Sequence, residues 1–443
     1  MDKLFEQTSI RKAYFTLSLP VVLNMVVTLV YNLVDTFFVS KTQNPNLVAG
    51  VSQGAPLFTL MIALGDIFGL GGSSVISRLF GEKKYDVGRR VSGYCFYAPL
   101  VCGVVVTIIM LVFQAPFLHL LGASGATWKY AREYYLVITF GATAIIFNFS
   151  PVNILRTEGL AVESMAGSMI GTLINIVLNP LFIFTFGLGA AGSALATVTG
   201  NVIADLLLVH FIRTRSKHLT TSIHETKISR HLQAQIYAIG IPASVTNLMA
   251  TFAVAMTNDF LISYGAVKVA AMGISMKIST VINMIFAGFA FGAQPLIGYT
   301  YGAKDYKRYY QTIRLDLLVV GGCAIVLTIL LAVITPWLIQ WFMSNPQVIH
   351  SGIPMIRWLV SSSTLAGVIL VFTTMFQSMG KALPAFLLSF SRQGLVFSLC
   401  MIVLVHLFGY TGILAAQAAA DTITSVIAIC LFMVYRPHKK AQE

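Results

Sequence analysis

Residues 30–40 read VYNLVDTFFVS, and they set one carboxylate, Asp35, inside an apolar run that opens near Leu17. An ionised side chain at membrane depth costs at least ~2.5–3.5 kcal/mol on insertion scales. Either the run is no membrane helix, or the carboxylate has a use. Composition decides the first half of that choice. Of 443 residues, 57% are hydrophobic and only 10% charged, and mean hydropathy is +0.81; soluble domains carry about 25% charged residues. Apolar runs of about 20 residues, each able to cross hydrocarbon about 30 Å thick, recur along the chain. They fall at 17–39, 53–76, 91–113, 133–155, 163–186, 190–212, 236–262, 272–297, 312–341, 353–379, 384–407 and 411–435. Long unbroken runs suit helices, whereas a membrane barrel would show short alternating strands. The expected fold is an all-α polytopic membrane protein with twelve transmembrane helices.

The net charge of +13 is placed as a membrane protein places it, so nucleic acid is not an expected partner. Most Lys and Arg cluster in RLFGEKKYDVGRR (78–90), FIRTRSKHLTTSIHETKISR (211–230), GAKDYKRYYQTIR (302–314) and RPHKK (436–440), all on one side of the predicted topology. The positive-inside bias then puts both termini in the cytoplasm of a multi-pass cytoplasmic-membrane protein. MDKLFEQTSIRKAYF is too polar for a cleavable signal. The five cysteines lie in apolar segments without ligand spacing, which argues against a disulfide framework or a zinc site.

The chain repeats itself at a spacing of about 221 residues. SLP (18–20) returns as GIP (240–242), AGVSQ (49–53) as MGISM (272–276) and FGEKKY (80–85) as YGAKDY (301–306). RTEGLAVES (156–164) returns as QSMGKALPA (377–385), and GSALAT (192–197) as GILAAQ (412–417). Six helices per half make the two halves parallel, related by a pseudo-two-fold axis along the membrane normal. The expected division is an N-terminal lobe at 1–212, a cytoplasmic linker at 213–235 and a C-terminal lobe at 236–443. Such symmetry suits alternating access around a midplane site.

These residues resemble the multidrug and toxic compound extrusion (MATE) family along the whole chain. GAQPLIGYTYGAKDY (292–306) is similar to the family's Gln-Pro…Tyr-Gly-Ala signature, with Thr300 in the usual Asn place. GLGGSSVISRLFGEK (69–83) matches its Ser-Arg-x-x-Gly pattern. Pro20 and Asp35 match the acidic first-helix motif, and NIVLNP (175–180) the Asn-x-x-Leu-Asp-Pro segment. The resemblance implies a two-lobed, twelve-helix exporter coupling inward Na+ or H+ to outward movement of a bulky organic compound. In one branch the ion site lies in the N-terminal lobe; its residues carry over as Asp35, Asn175, Asn179 and Thr197, with Tyr31 beside them. The other branch's acidic residue in helix seven is Ala253 here.

The residue types fit that implied role. Asn175 and Asn179, four apart, share one helix face, and Pro180 leaves the carbonyl of Ile176 without its helical donor. Those oxygens, with the Thr197 hydroxyl and the Asp35 carboxylate, can replace the hydration shell of Na+. Burial favours the uncharged form of a carboxylate, so a proton suits the same place. Asn179 stands where the family has Asp, which predicts a single charge per cycle at this site.

Asp66 and Asp205 are candidates to face the N-lobe cavity, and Arg392, with Asp421 as a partner, a substrate contact in the second half. Lys277 can snorkel, and Asp259 is expected near the interface. No cofactor is expected beyond the transported ion, and the partners are an organic substrate and membrane lipid, the protein acting as a monomer. The function expected is export of organic, often lipophilic cationic, compounds. An exporter dedicated to one metabolite or toxin precursor is the alternative, with a lipid-linked flippase behind it. An intramembrane enzyme would need clustered catalytic His, Asp or Glu at loop mouths, and the loops show none.

Overall fold

A computed structural model of the protein describes residues 3–342 and 346–437; His438, Lys439 and Lys440 of the C-terminal basic cluster lie outside them. The described chain is all-helical. The first half comprises α1 (Ile10–Lys41), α2 (Pro45–Gly81), α3 (Tyr85–Val112), the short α4 (Gln114–Leu120), α5 (Trp128–Phe140), α6 (Ala142–Thr157), α7 (Ala161–Pro180) and α8 (Gly189–Arg215). The second comprises α9 (Arg230–Ile262), α10 (Ala266–Gly302), α11 (Tyr306–Phe342), α12 (Pro346–Ser361), α13 (Ser363–Ser378), α14 (Ala382–Gln393), α15 (Leu395–Phe408) and α16 (Tyr410–Tyr435).

Local chemistry sets the boundaries. TQNPN ends α1 and starts α2: the Asn44 side chain accepts from the backbone N–H of Asn46 (3.1 Å) and Leu47 (3.2 Å), and Pro45 takes the first helical position. That satisfies donors that a helix start leaves open, in a place where proline loses nothing. Twelve spans result among the described residues, once α5 and α6 are taken together as one span bent by 51°. The expected run at 133–155 is therefore not one straight helix. It breaks at Gly141, where a side chain would run into Val198 of α8, so the missing Cβ lets α8 close in on the bend. Likewise the run at 384–407 divides at Gly394 into α14 and α15.

The helices are apolar outward. On α3, Val101, Val104, Val105, Ile108 and Val112 are all exposed at helical spacing. On α11 the same holds for Leu318, Ile325, Val326, Ile329 and Val333. A stripe of this kind suits lipid and would be a liability in water.

The helices gather in two compact units. One is Leu23–Ser244 with the N-terminal residues up to Gln7, and the other is Thr8–Val22 with the residues from Val245 on. The expected division at 1–212, 213–235 and 236–443 follows the chain; the compact units depart from it in two places. Each half lends the opening part of its first helix to the other unit. The linker also joins the first unit. Glu158 accepts from the backbone N–H of Lys217 (2.7 Å) and His218 (3.2 Å), and Arg89 pairs with Glu225 at 2.8 Å. Hydrogen bonds from Arg89 hold the Glu225 carboxyl below its ordinary value.

Glycines make the lending possible. Gly71 of α2 abuts the backbone of Ile236 of α9, and Gly292 of α10 abuts that of Ser18 of α1; a Cβ at either would collide. The two glycines are repeat mates, and small residues are what allow membrane helices such close approach. Replacing Gly292 with Leu is expected to cost roughly 1–3 kcal/mol or more by overpacking and to lower the melting temperature of the detergent-solubilised protein by several degrees. Gly322→Ala, where a Cβ meets open space, is the control and leaves it unchanged or slightly higher.

Candidate cation site

Three helices of the first unit bring Asp35 its neighbours. From α7, Nδ2 of Asn179 donates to Oδ1 of Asp35. From α8, the Ser193 hydroxyl donates to the same oxygen at 3.1 Å. One step away, the Thr197 hydroxyl gathers the Tyr31 hydroxyl at 3.2 Å and Nδ2 of Asn175 at 3.1 Å, and itself lies 3.2 Å from the Ser193 carbonyl. Asn175, Asn179, Ser193 and Thr197 are all buried, and Asp35 and Tyr31 partly so.

The spacing explains the assembly. Tyr31 and Asp35 are four apart on α1, Asn175 and Asn179 on α7, Ser193 and Thr197 on α8, so each helix presents one pair on one face. With the amide N–H of Asn179 given to the carboxylate and that of Asn175 to the Thr197 hydroxyl, each asparagine keeps its oxygen for something else. Oδ1 of Asn175 and of Asn179 are buried without a hydrogen-bond partner. Buried orphan acceptors are rare and call for an explanation. Two amide oxygens, a carboxylate and hydroxyls form an all-oxygen donor set, which suits a hard cation; the lone carboxylate equally suits a proton.

Asp35, Asn175, Asn179, Thr197 and Tyr31 thus form one cluster. Pro180 ends α7 one residue past Asn179, and the chain continues as a single π-helical stretch, Leu181–Thr185. Ser193 is a site residue that the sequence reading passes over, although its place four residues before Thr197 marks it. Tyr134 of α5 is another: it interacts electrostatically with Tyr31 and Asp35, and only folding shows that.

The remaining candidates lie elsewhere. Pro20 belongs to the part of α1 that joins the other unit. Asp205 is buried on α8 and accepts from Nδ2 of Asn148 at 2.8 Å, and Asp66 interacts electrostatically with the buried Arg156. Arg392 donates from Nε to Asp421 at 3.0 Å, and Ser362 (2.8 Å) and Gln417 (2.9 Å) complete the Asp421 shell. Lys277 and Asp259 are exposed.

Twelve spans, a doubled bundle and a buried polar cluster in one half define a membrane transporter of the two-lobed, parallel-repeat type. The chain belongs to the MatE family, whose model matches residues 20–181 and 242–402. Among its relatives is the multidrug export protein MepA of Staphylococcus haemolyticus, 29% identical over 97% of this chain and 94% of that protein. MepA of Staphylococcus saprophyticus is 27% identical over 98% and 95%. An outward-facing multidrug resistance MATE transporter superposes with a TM-score of 0.92 at 25% identity, covering 98% of this chain and 97% of that one. A MOP-superfamily transporter from Pyrococcus furiosus, described as having a binding pocket of reversed polarity, superposes at 0.90 with 25% identity over 98% and 97%.

Asp35→Asn is expected to insert normally into the membrane and to lose substrate movement in reconstituted vesicles. Uptake above that of empty vesicles by the purified variant would show that the carboxylate is dispensable.

Proposed function

We propose that this chain is a cation-coupled antiporter that exports bulky organic, often lipophilic cationic, compounds across the cytoplasmic membrane by alternating access. Family membership and the multidrug export relatives support the substrate class. The observation that carries the coupling is the orphaned, buried amide oxygen of Asn179, whose N–H bonds Asp35, together with the like oxygen of Asn175 one turn away on α7. Both termini face the cytoplasm in this reading, and the working form is a monomer.

The mechanism follows from the hydrogen bonds. Asp35 is tied to α7 through Asn179 and to α8 through Ser193. A proton on its carboxyl, or Na+ drawing on the free oxygens of Asn175 and Asn179, weakens those charge-assisted bonds, each roughly twice as strong as a neutral one. The hold of α1 on its neighbours then changes with occupancy. Asn179 supplies no second negative charge, so one monovalent charge neutralises the site. Each such charge moving down the potential contributes ~2.3 kcal/mol per 100 mV. Pro20, which removes a backbone donor within α1, gives the helix a place to bend in response.

Proteoliposomes with a pH gradient or a Na+ gradient imposed separately test the coupling. One of the two gradients alone is expected to drive uptake of a fluorescent lipophilic cation; equal uptake with neither would rule out coupling. Pro20→Ala is expected to slow turnover severalfold while substrate affinity is kept. An unchanged rate would remove bending at Pro20 from the scheme.

A further inference from the structure

The two crossings at which a half lends its first helix are not chemically equal. In the first unit the hydroxyls of Tyr237 on α9 and Tyr94 on α3 meet at 2.9 Å. In the second, the Tyr14 hydroxyl of α1 donates to Oδ1 of Asp316 on α11 at 2.8 Å. The residues of the two contacts stand 223 (Tyr14 and Tyr237) and 222 (Tyr94 and Asp316) positions apart, within about two residues of the repeat spacing. A phenol–phenol hydrogen bond is therefore enough to close such a crossing. Packing does not demand a carboxylate at its twin.

Asp316 is 0% exposed, in the third turn of a helix that reads as membrane-spanning. Tyr14 is also fully buried, stacked parallel to Phe289 with ring centres 6.5 Å apart and met edge-on by Phe15 at 5.2 Å. Among the described residues Oδ2 of Asp316 has no hydrogen-bond partner. The Tyr14 hydroxyl is the hydrogen-bond partner of Asp316, and Cys323, the other titratable group described near this pair, lies on α11. Asp35, Asp421 and Asp205 are better served. Asp35 has two donors, Asp421 has a guanidinium and two further donors, and Asp205 has an amide and keeps slight exposure.

Neither charge state of Asp316 is fully satisfied. Ionised, it is a buried charge with no counter-charge and one hydrogen bond, a costly arrangement. Protonated, the carboxyl and the phenol carry two O–H groups and share one hydrogen bond, so one O–H goes unpaired, which also costs. A group balanced in this way exchanges its proton when its surroundings shift slightly. Three oxygens, two of the carboxyl and one of the phenol, are too few to replace the shell of a metal ion, so the ligand is a proton.

From this geometry we infer that Asp316 and Tyr14 form a second proton-binding site, in the C-terminal unit, whose loading loosens the opening part of α1. The ionised carboxylate grips the Tyr14 hydroxyl through a charge-assisted bond, and protonation reduces it to a neutral one. Residues 8–22 are thereby held according to the proton, on the same helix that carries Asp35. The inference stands whether or not Asp35 couples a cation.

The test uses the full chain in lipid nanodiscs, with isotope-labelled aspartate and pH-difference infrared spectroscopy of the carboxyl band. Asp316→Asn is expected to remove one titrating carboxyl component that survives in Asp35→Asn, and Tyr14→Phe, which keeps the aromatic packing, to displace its midpoint. Limited proteolysis within residues 8–22 is expected to be faster below that midpoint in the unmodified protein and pH-independent in Asp316→Asn. A titrating band identical in the unmodified protein, Asp316→Asn and Tyr14→Phe would overturn the proposal. So would a midpoint that ignores Tyr14→Phe, the variant that remains informative if Asp316→Asn fails to fold.

Discussion

A polar or ionisable group inside a bundle wrapped in hydrocarbon has to find its partners among the helices themselves, since lipid offers none. Asp35 finds them on α7 and α8 in Asn179 and Ser193. Asp421 draws on Arg392, Ser362 and Gln417, and the buried Arg156 on Asn153 and Ser164 at 3.3 Å each. In each case the bonds that satisfy the charge also tie separate helices together. In the coupling proposed above, a change of charge state at Asp35 alters that hold, which is the link between occupancy and shape that such coupling needs.

The second constraint is contact distance. Apolar side chains gain nothing by leaving lipid for one another, so these helices rely on close backbone approach. Gly71 and Gly292 provide it at equivalent places, and Gly141 makes room for the Val198 side chain at the bend between α5 and α6. The repeat is thus visible in packing as well as in motif order. Its departures are the informative part: Tyr94 with Tyr237 in one unit, Asp316 with Tyr14 in the other, and a carboxylate at 35 whose counterpart face on α9 carries none.

Much of the site was readable before folding because helix geometry makes spacing three-dimensional. Tyr31 with Asp35, and Asn175 with Asn179, are each four apart and had to share a face. Ser193 was equally readable from Thr197 by that rule, though a lone serine among small residues attracts no notice. Tyr134 was not readable, because its approach to Tyr31 and Asp35 depends on how α5 packs ahead of the break at Gly141. Asp316 likewise sits in an apolar run of great length, and its oddity appears only once its single hydrogen bond, from Tyr14, is seen.

By itself the sequence determined that the chain is helical, crosses the membrane about a dozen times and is built twice over. Those properties follow from hydropathy, period and repetition, which are one-dimensional quantities. The tertiary structure decided which polar groups meet, where a span bends, and that the first helix of each half serves the other unit. These depend on distances between residues hundreds of positions apart, set by glycine contacts and by the cost of leaving a buried oxygen or charge without a partner. No local pattern encodes them.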